Sequence, residues 1–191
     1  RQMLDTLAMR VPTFGDWDHL AVSAQTRAEL ANLESRCRHR ERLPAAVSPA
    51  LGAQLNAGVR ALFCGPSGTG KTLAARLLAA VLQMDIYRVD LSTIVNKYIG
   101  ETEKNLERIF RAADQGDAVL LFDEADAIFG KRSEVRDARD RYANVEVAYL
   151  LQRLENYEGL AVLTTNLRGN IDEAFTRRLD SVLEFPLPEE P

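Results

Sequence analysis

Five short runs with the apolar character of β-strands alternate with helical segments between residues 59 and 185. The run AVLLFD is apolar along almost its whole length, which is typical of a strand covered by helices on both faces of a sheet. The helical segments carry apolar residues three and four positions apart. This alternation predicts an α/β fold with a doubly wound, five-stranded parallel sheet. The predicted strands are residues 59–64, 86–91, 118–123, 160–166 and 181–185.

The rest of the chain predicts one domain with a leading segment. Residues 1–42 are expected to form an N-terminal segment with one helix, for which Ser23 and Thr26 are candidate capping residues. Outside that helix the first 20 residues are expected to be irregular. Residues 43–191 are expected to form the α/β core. Because the chain begins with Arg1 rather than methionine, we expect it to be a fragment of a longer protein. The core helices are predicted over residues 72–83, 105–113 and 143–156.

The composition argues against two classes of partner. The net charge of −4 and the pI near 5.3 indicate no general affinity for nucleic acid or for anionic membrane surfaces. No apolar run reaches the roughly 18 residues that a membrane-spanning helix needs. Cys37 and Cys64 lack the spacing of a metal-binding or redox pair, so we interpret them as reduced, buried thiols. These features together predict a cytoplasmic protein without a membrane segment.

A glycine-rich stretch, GPSGTGKT, lies between the first predicted core strand and its helix. This pattern and its strand–loop–helix context are typical of a loop whose backbone N–H groups surround phosphate oxygens. Lys71 is expected to bind the β and γ phosphates of ATP, and the Thr72 hydroxyl to bind Mg²⁺. A glycine-rich turn that matches by accident is the alternative, and the strand–loop–helix context disfavours it. The predicted nucleotide-binding residues are Gly65, Pro66, Ser67, Gly68, Thr69, Gly70, Lys71, Thr72 and Leu73.

Two further strands end in polar residues. Asp123 and Glu124 follow the run AVLLF, where Asp123 is a candidate ligand of Mg²⁺ and Glu124 a candidate general base for water. The alternative is an acidic helix start that only favours the helix dipole, and we assign Asp126 to that role. Asn166 ends the next strand, where its amide is placed to orient water, although a turn asparagine has the same sequence signal.

Together these motifs resemble the AAA+ ATPases, and particularly the AAA clade of protein remodellers. The similarity runs from about Trp17 to Pro188. The resemblance implies that residues 65–72 are Walker A, that Asp123 and Glu124 are Walker B, and that Asn166 is sensor 1. The phrases that carry it are ALFCGPSGTGKTLAARLLA, NKYIGETEKNLERIF, VLLFDEADAIFGKR and TTNLRGNIDEAFTRRLDSVLEFPLP.

The resemblance also implies a role for Arg177 and Arg178, which we call the arginine pair. In this family such arginines act as fingers that enter the ATP site of a neighbouring subunit in a ring, here expected to be a hexamer. The family usually separates the two arginines by a short insert, whereas here they adjoin, so the resemblance does not distinguish which of them contacts phosphate. The alternative is a pair of surface arginines bound to Asp180 or Glu173.

Four other features are interpreted with the resemblance in view. Tyr98 and Ile99, in KYIG, are implied to form a pore loop that grips a protein substrate, the alternative being a tyrosine packed under its own loop. The charged segment 130–144 is interpreted as a solvated loop, or as a second segment facing the pore. Residues His19–Ala21 occupy the place of the adenine contact. The helical lid of the family is not expected within this chain.

The predicted function is Mg²⁺-dependent hydrolysis of ATP to ADP and phosphate, which drives protein remodelling by a ring-shaped ATPase. Three alternatives are considered. A nucleic-acid motor is disfavoured by the acidic composition, and a small-molecule kinase by the arginine pair and Asn166. A nucleotide-dependent switch or assembly scaffold with low turnover is disfavoured by Glu124, because a pure switch does not need a carboxylate that activates water.

Overall fold

A computed structural model of the chain describes residues 8–40, 57–91, 102–126, 148–166 and 173–187. Its centre is a six-stranded sheet in the order β1-β3-β4-β5-β2-β6. Strands β2 to β6 pair in parallel, as the sequence predicts for the core. The strands are β1 (Met9–Val11), β2 (Val59–Cys64), β3 (Ile86–Asp90), β4 (Val119–Asp123), β5 (Leu160–Thr165) and β6 (Ser181–Glu184).

Strand β1 corrects the sequence prediction in two respects. Residues 1–20 were expected to be irregular and the sheet to have five parallel strands, whereas Met9–Val11 adds a sixth, antiparallel strand beside β3. A run of only three residues is too short to show alternation in the sequence. Arg10 holds β1 in place by an ion pair with Asp85, at 2.6 Å between the guanidinium and carboxylate atoms.

Helices cover both faces of the sheet. They are α1 (Ala24–His39), α2 (Lys71–Val81), α3 (Thr102–Gly116), α4 (residues 148–156) and α5 (Glu173–Thr176). Successive residues of β2 point to opposite faces, so Leu62 packs with α3 and α4 whereas Phe63 packs with α1 and α2. The doubly wound arrangement predicted from the sequence is therefore confirmed. None of the helices in the described ranges combines the length and apolar character needed to span a membrane.

Helix α1 is fixed to β6, the strand at one edge of the sheet. Ser23 caps it, since its side-chain oxygen accepts a hydrogen bond from the backbone N–H of Thr26 at 3.1 Å. Thr26 is not the cap, and its hydroxyl instead donates to the carbonyl of Glu184 in β6 at 3.0 Å. Leu30 and Leu33 bury their side chains in the same core as β2 and β6. Helix α1 is thus packed onto the core.

Glu107 of α3 joins this helix to α4. Its carboxylate accepts hydrogen bonds from Arg153 at 2.7 Å, from Arg111 at 2.8 Å and from the Tyr149 hydroxyl at 3.0 Å. These bonds, that of Arg153 above all, lower the pKa of Glu107 to about 2. The guanidinium of Arg153 also lies over the ring of Phe110, 5.0 Å from its centroid. The carboxylate thereby stabilises the packing of α3 against α4.

We predict that Glu107→Gln removes a pH-dependent part of the stability. The folded state lowers the pKa of Glu107 from 4.5 to about 2, so the stabilisation is present above pH 4.5 and is lost as the pH falls towards 2. The variant should be less stable at pH 7, and its free energy of unfolding should fall less between those pH values. Urea unfolding at several pH values measures this. Glu103→Gln, an exposed position one turn earlier, is the control, and parallel curves for wild type and Glu107→Gln would contradict the assignment.

Candidate functional site

The carboxyl ends of β2, β5 and β4 meet at one edge of the sheet and form a cavity of about 320 Å³. In parallel α/β sheets this is the edge at which ligands bind. Most of the polar residues singled out from the sequence come together here. The cavity is lined by Ser67, Gly68, Gly70, Lys71, Thr72, Leu73, Asp123, Glu124, Thr164 and Asn166.

Residues 65–72, which we call the phosphate loop, connect β2 to α2. Gly70 precedes the helix with φ of +92°, a conformation that suits glycine. Gly65 lies so close to β6 that an added Cβ would stand 2.2 Å from the carbonyl oxygen of Phe185. The hydroxyl of Thr69 donates to the Pro66 carbonyl at 2.8 Å and closes the loop. The start of α2 therefore faces the cavity with its N–H groups, which is the arrangement that favours anions.

Lys71 is buried at the first position of α2. Its ammonium donates to the carbonyls of Gly65 at 2.7 Å and Pro66 at 2.6 Å. Burial lowers the pKa of Lys71, whereas the nearby carboxylates of Asp126 and Asp123 act to raise it. The ammonium is held at the cavity by carbonyl oxygens that phosphate oxygens can replace.

Asp123 ends β4 with three hydrogen-bonding or ionic partners. One carboxylate oxygen accepts from the hydroxyls of Thr72 at 3.1 Å and Thr164 at 2.5 Å. The other oxygen lies 3.2 Å from the guanidinium of Arg88 in β3. The side chain of Asp123 is only 8% exposed. Its carboxylate is thus fixed in orientation by β3, β5 and the phosphate loop together.

Glu124 stands at the rim of the cavity with an exposed side chain. Its backbone has φ of +54°, a left-handed conformation that is uncommon for residues other than glycine and is found at functional sites. The hydroxyl of Thr164 accepts a hydrogen bond from the Glu124 N–H at 3.1 Å, and the Thr164 carbonyl accepts from Ala125 at 2.8 Å. Thr164 of β5 therefore fixes both Asp123 and the turn that carries Glu124.

Asn166 follows β5 and lines the same cavity. Its backbone N–H donates to the carboxylate of Asp126 at 3.0 Å, and the hydroxyl of Thr165 donates to the same oxygen. From the sequence we assigned Asp126 only to a helix start. The structure gives it a further contact, since it binds the backbone of Asn166 across β4 and β5.

Thr164, Thr165 and Arg88 also belong to the site at the cavity, although the sequence motifs did not point to them. The signal available was the pair of threonines at the end of LAVLTTN, because polar residues at the carboxyl end of a buried strand face the binding edge. Their partners lie about 40 residues away in the chain, so only the pairing of β4 with β5 identifies them.

Thr72 and Asp123 are suited to bind a magnesium ion that is also bound by the phosphates of a nucleotide. Thr72 and Asp123 supply one hydroxyl and one carboxylate oxygen at the cavity. Mg²⁺ prefers oxygen ligands and, in phosphate sites, takes one or two carboxylates together with phosphate and water oxygens. Across the described ranges no group of three or more His, Cys, Asp or Glu side chains is placed to hold a metal. This donor set suits Mg²⁺ that takes its other ligands from phosphate and water.

A second cavity of about 810 Å³ adjoins the phosphate loop and shares Gly68, Gly70 and Leu73 with the first. Its walls include residues 19–23 and 185–187, most of them apolar. The predicted adenine contacts, His19–Ala21, therefore lie beside the loop. The guanidinium of Arg27 donates to the Leu20 carbonyl at 2.7 Å and holds this wall against α1.

The arginine pair lies beside the amino ends of β2 and β6, whereas the cavity lies at the carboxyl ends of the strands. It precedes β6, and the N–H of Asp180 donates to the carbonyl of Arg60, near the start of β2, at 2.9 Å. Gly65 follows the far end of β2. Five residues of extended strand span about 16 Å. The arginine pair is therefore remote from the phosphate loop of its own chain.

Both side chains of the arginine pair are exposed. Arg178 forms an ion pair with Glu155 of α4, at 3.1 Å between Nε and Oε1. Asp180, a partner considered from the sequence, pairs with Arg60 at 3.0 Å and Arg36 at 2.9 Å. Tyr98, Ile99 and the charged segment 130–144 lie outside the described residues.

Comparison with known proteins identifies the family. The family model described as "ATPase family associated with various cellular activities (AAA)" matches residues 61–187. The match covers about two thirds of the chain and includes the whole phosphate loop and the arginine pair. This chain belongs to the AAA ATPase family.

Relatives of this AAA domain include the uncharacterized AAA family ATPase y4kL of Sinorhizobium fredii, 38% identical over 67% of this chain and 39% of that protein. The 26S proteasome regulatory subunit 10B of Dictyostelium discoideum is 38% identical over 68% of the chain and 35% of the relative. The proteasome-activating nucleotidase of Aeropyrum pernix is 37% identical over 66% of the chain and 33% of that relative. The matched region thus spans well under half the length of these curated relatives.

A solved structure, that of the FIGL-1 AAA domain in complex with ADP, resembles this chain with a TM-score of 0.72. The likeness covers 98% of this chain and 62% of the other, at 22% sequence identity. It supports the α/β fold of the AAA domain.

We predict that Thr164→Val slows ATP hydrolysis about 10- to 100-fold while nucleotide binding changes little, because a displacement of about 1 Å of reacting groups has an effect of this size. Valine has a similar shape but neither donates to Asp123 nor accepts from Glu124. Steady-state ATPase rates and fluorescent-nucleotide binding measure the two effects. Thr164→Ser keeps the hydroxyl and is the control. Equal rates for valine and serine would contradict the assigned role.

Proposed function

We propose that this AAA domain binds ATP with Mg²⁺ and hydrolyses it at a site completed by a neighbouring subunit. The observation that carries the proposal is a division of residues between the two edges of the sheet. Lys71, Asp123, Glu124 and Asn166 line one cavity at the carboxyl end of β2, whereas the turn of the arginine pair is bound through Asp180 to Arg60, about 16 Å from Gly65 along β2. Such a division keeps the arginine pair out of the cavity of its own chain, so an arginine finger that stabilises phosphoryl transfer is supplied by a second chain.

The proposed roles follow from the geometry of the cavity. The N–H groups of the phosphate loop and Lys71 bind the phosphates, and Thr72 with Asp123 holds Mg²⁺. When bound, Mg²⁺ neutralises charge on the phosphate oxygens. Glu124 accepts a proton from the attacking water, because its carboxylate is exposed at the rim of the cavity. Asn166 orients that water through its amide.

The arginine pair is proposed to act in trans. Guanidinium groups match phosphate oxygens geometrically and remain charged at any physiological pH. Head-to-tail contact between chains generates a ring where the rotation between neighbours closes, and we propose that the full-length protein forms such a ring, a hexamer. In such a ring the arginine pair of one subunit faces the cavity of the next.

The wider function is proposed from the family and the relatives. We infer that the ring remodels proteins and that Tyr98 and Ile99 contact the substrate, in keeping with relatives named as proteasome subunits and a proteasome-activating nucleotidase. A net charge of −4 supports a protein rather than a nucleic acid as substrate. We also propose a cytoplasmic location, supported by two free, buried cysteines. Residues 1–42 and 43–191 are proposed to form one unit, since α1 packs into the core of the sheet.

The test is the ATPase rate per subunit of the full-length protein, measured over a range of protein concentrations. The rate should rise with concentration, because assembly completes the site. Arg177→Ala/Arg178→Ala should reduce it by roughly 10³- to 10⁵-fold, the contribution of an arginine finger. Glu124→Gln should reduce it by roughly 10²- to 10⁴-fold through loss of the general base.

Controls separate binding from chemistry. Both variants should still bind a fluorescent nucleotide, and Arg108→Ala, which removes an exposed arginine of α3, should keep the wild-type rate. The single variants Arg177→Ala and Arg178→Ala would distinguish the working arginine. A rate that is independent of concentration and of the arginine pair would overturn the shared site and favour a self-contained ATPase or switch.

A further inference from the structure

Asp180 lies two residues after the arginine pair and is held by several hydrogen bonds. Its Oδ2 accepts from the backbone N–H of Arg60 at 2.9 Å and from the Arg60 Nε at 3.1 Å. Its Oδ1 accepts from Arg36 of α1 at 2.9 Å, and its own N–H donates to the Arg60 carbonyl at 2.9 Å. The Asp180 side chain is only 16% exposed. The end of the arginine-bearing turn is therefore fixed to β2.

Arg60 extends this network to α4. Its side chain is 11% exposed and, besides binding Asp180, donates to the carbonyl of Glu155 at 2.9 Å. It also lies 3.4 Å from the carbonyl of Leu154. The carboxylate of the same Glu155 pairs with Arg178. Arg60 is thus bonded to Asp180, two residues after the arginine pair. It is also bonded to the backbone of Glu155, whose carboxylate pairs with Arg178.

The other end of the turn is fixed by packing and by backbone hydrogen bonds. Phe175 is buried in the core on the α3 and α4 face of the sheet, and Leu179 packs against the same core. The N–H of Arg178 donates to the Phe175 carbonyl at 3.0 Å, and that of Leu179 to Thr176 at 3.2 Å. The backbone of the arginine pair is therefore fixed on both sides while its side chains remain exposed.

We propose that Asp180 and Arg60 are positioning residues for the arginine pair, which they fix relative to β2 so that its side chains are presented to a neighbouring subunit. The inference rests on the proposed trans role of the pair. A charged pair of low exposure is weak support for stability alone, because desolvation offsets much of the attraction. Here it fixes the direction of two exposed arginines, and small displacements of groups that act on a reaction have large effects on rate.

The same pair of residues could serve only the stability of the fold, so the test needs a readout that stability does not change. Asp180→Asn keeps the size of the side chain but removes its negative charge and leaves one acceptor oxygen where Asp180 uses two, towards Arg60 and Arg36. If the positioning role is right, kcat for ATP should fall about 10- to 100-fold, while KM and nucleotide binding by the variant's own cavity stay within about twofold.

Two further variants define the origin of the effect. Arg36→Gln removes the partner of Asp180 that is 49% exposed and should keep kcat near the wild-type value. Arg60→Lys keeps a positive charge but loses the planar fork in which separate nitrogens bind Asp180 and the Glu155 carbonyl, so it should lower kcat as Asp180→Asn does. Unfolding midpoints of all variants, measured in parallel, show whether each one is folded under the assay conditions.

Mixed assemblies of the full-length protein provide the decisive readout. Glu124→Gln subunits cannot hydrolyse ATP but carry an intact arginine pair, whereas Asp180→Asn subunits have an intact cavity. In a 1:1 mixture, about half of the intact cavities should face a correctly positioned arginine pair and recover the wild-type rate, because neighbours in a ring are random. A mixture of Glu124→Gln with Arg177→Ala/Arg178→Ala serves as the reference.

The outcomes separate the two proposals. Recovery in both mixtures supports the positioning role. Recovery in the reference mixture but not with Asp180→Asn would overturn the positioning role and leave the trans arginines standing, because Asp180 would then act within its own subunit. Failure of the reference mixture would overturn the proposed trans site itself, and with it the inference. A wild-type kcat for both folded Asp180→Asn and Arg60→Lys would also overturn the positioning role.

Discussion

Strand β2 is hydrogen-bonded in parallel on both sides, to β5 and to β6, and the rest of the site depends on this pairing. Parallel pairing brings the carboxyl ends of β2, β5 and β4 to one edge, where the phosphate loop, Thr164 and Asp123 meet. The same pairing brings the start of β6 beside Arg60 at the other edge. One strand therefore sets the position of the cavity and, through β6, that of the arginine pair.

At the cavity, hydroxyl groups do much of the positioning. Thr164 donates to Asp123 and accepts from the N–H of Glu124, so one side chain fixes both the proposed metal ligand and the turn that carries the proposed general base. Thr165 and Asp126 hold the backbone of Asn166 in a similar way. Buried hydroxyls need partners, and here the partners are Asp123, Asp126 and the backbone N–H of Glu124, all beside the cavity. The left-handed backbone conformation of Glu124, with φ of +54°, is stabilised by these hydrogen bonds between the ends of β4 and β5.

What the sequence could predict, and what it could not, follows from the range of the interactions. Apolar runs predicted all five parallel strands, and the phosphate loop was evident because its glycines and Lys71 lie within eight residues. The three residues of β1 gave too short a pattern, and their place depends on Asp85, 75 residues away from Arg10. Asp126 was assigned to a helix start because its partners on β5 are about 40 residues distant. Nothing in the sequence singles out Arg60, since its partner Asp180 is 120 residues away.

The separation of the two edges also constrains any assembly. A strand bonded on both sides cannot bend enough to bring its two ends together, so Arg60, which binds the turn of the arginine pair through Asp180, stays about 16 Å from Gly65 of the phosphate loop in any state that preserves the sheet. The arginine pair therefore does not complete the site of its own chain. In the ring that we propose, only contact between subunits does so. The sheet then fixes the separation between the cavity and the turn of the arginine pair within each subunit. In the proposed ring, the angle between neighbouring subunits decides whether an arginine contacts phosphate.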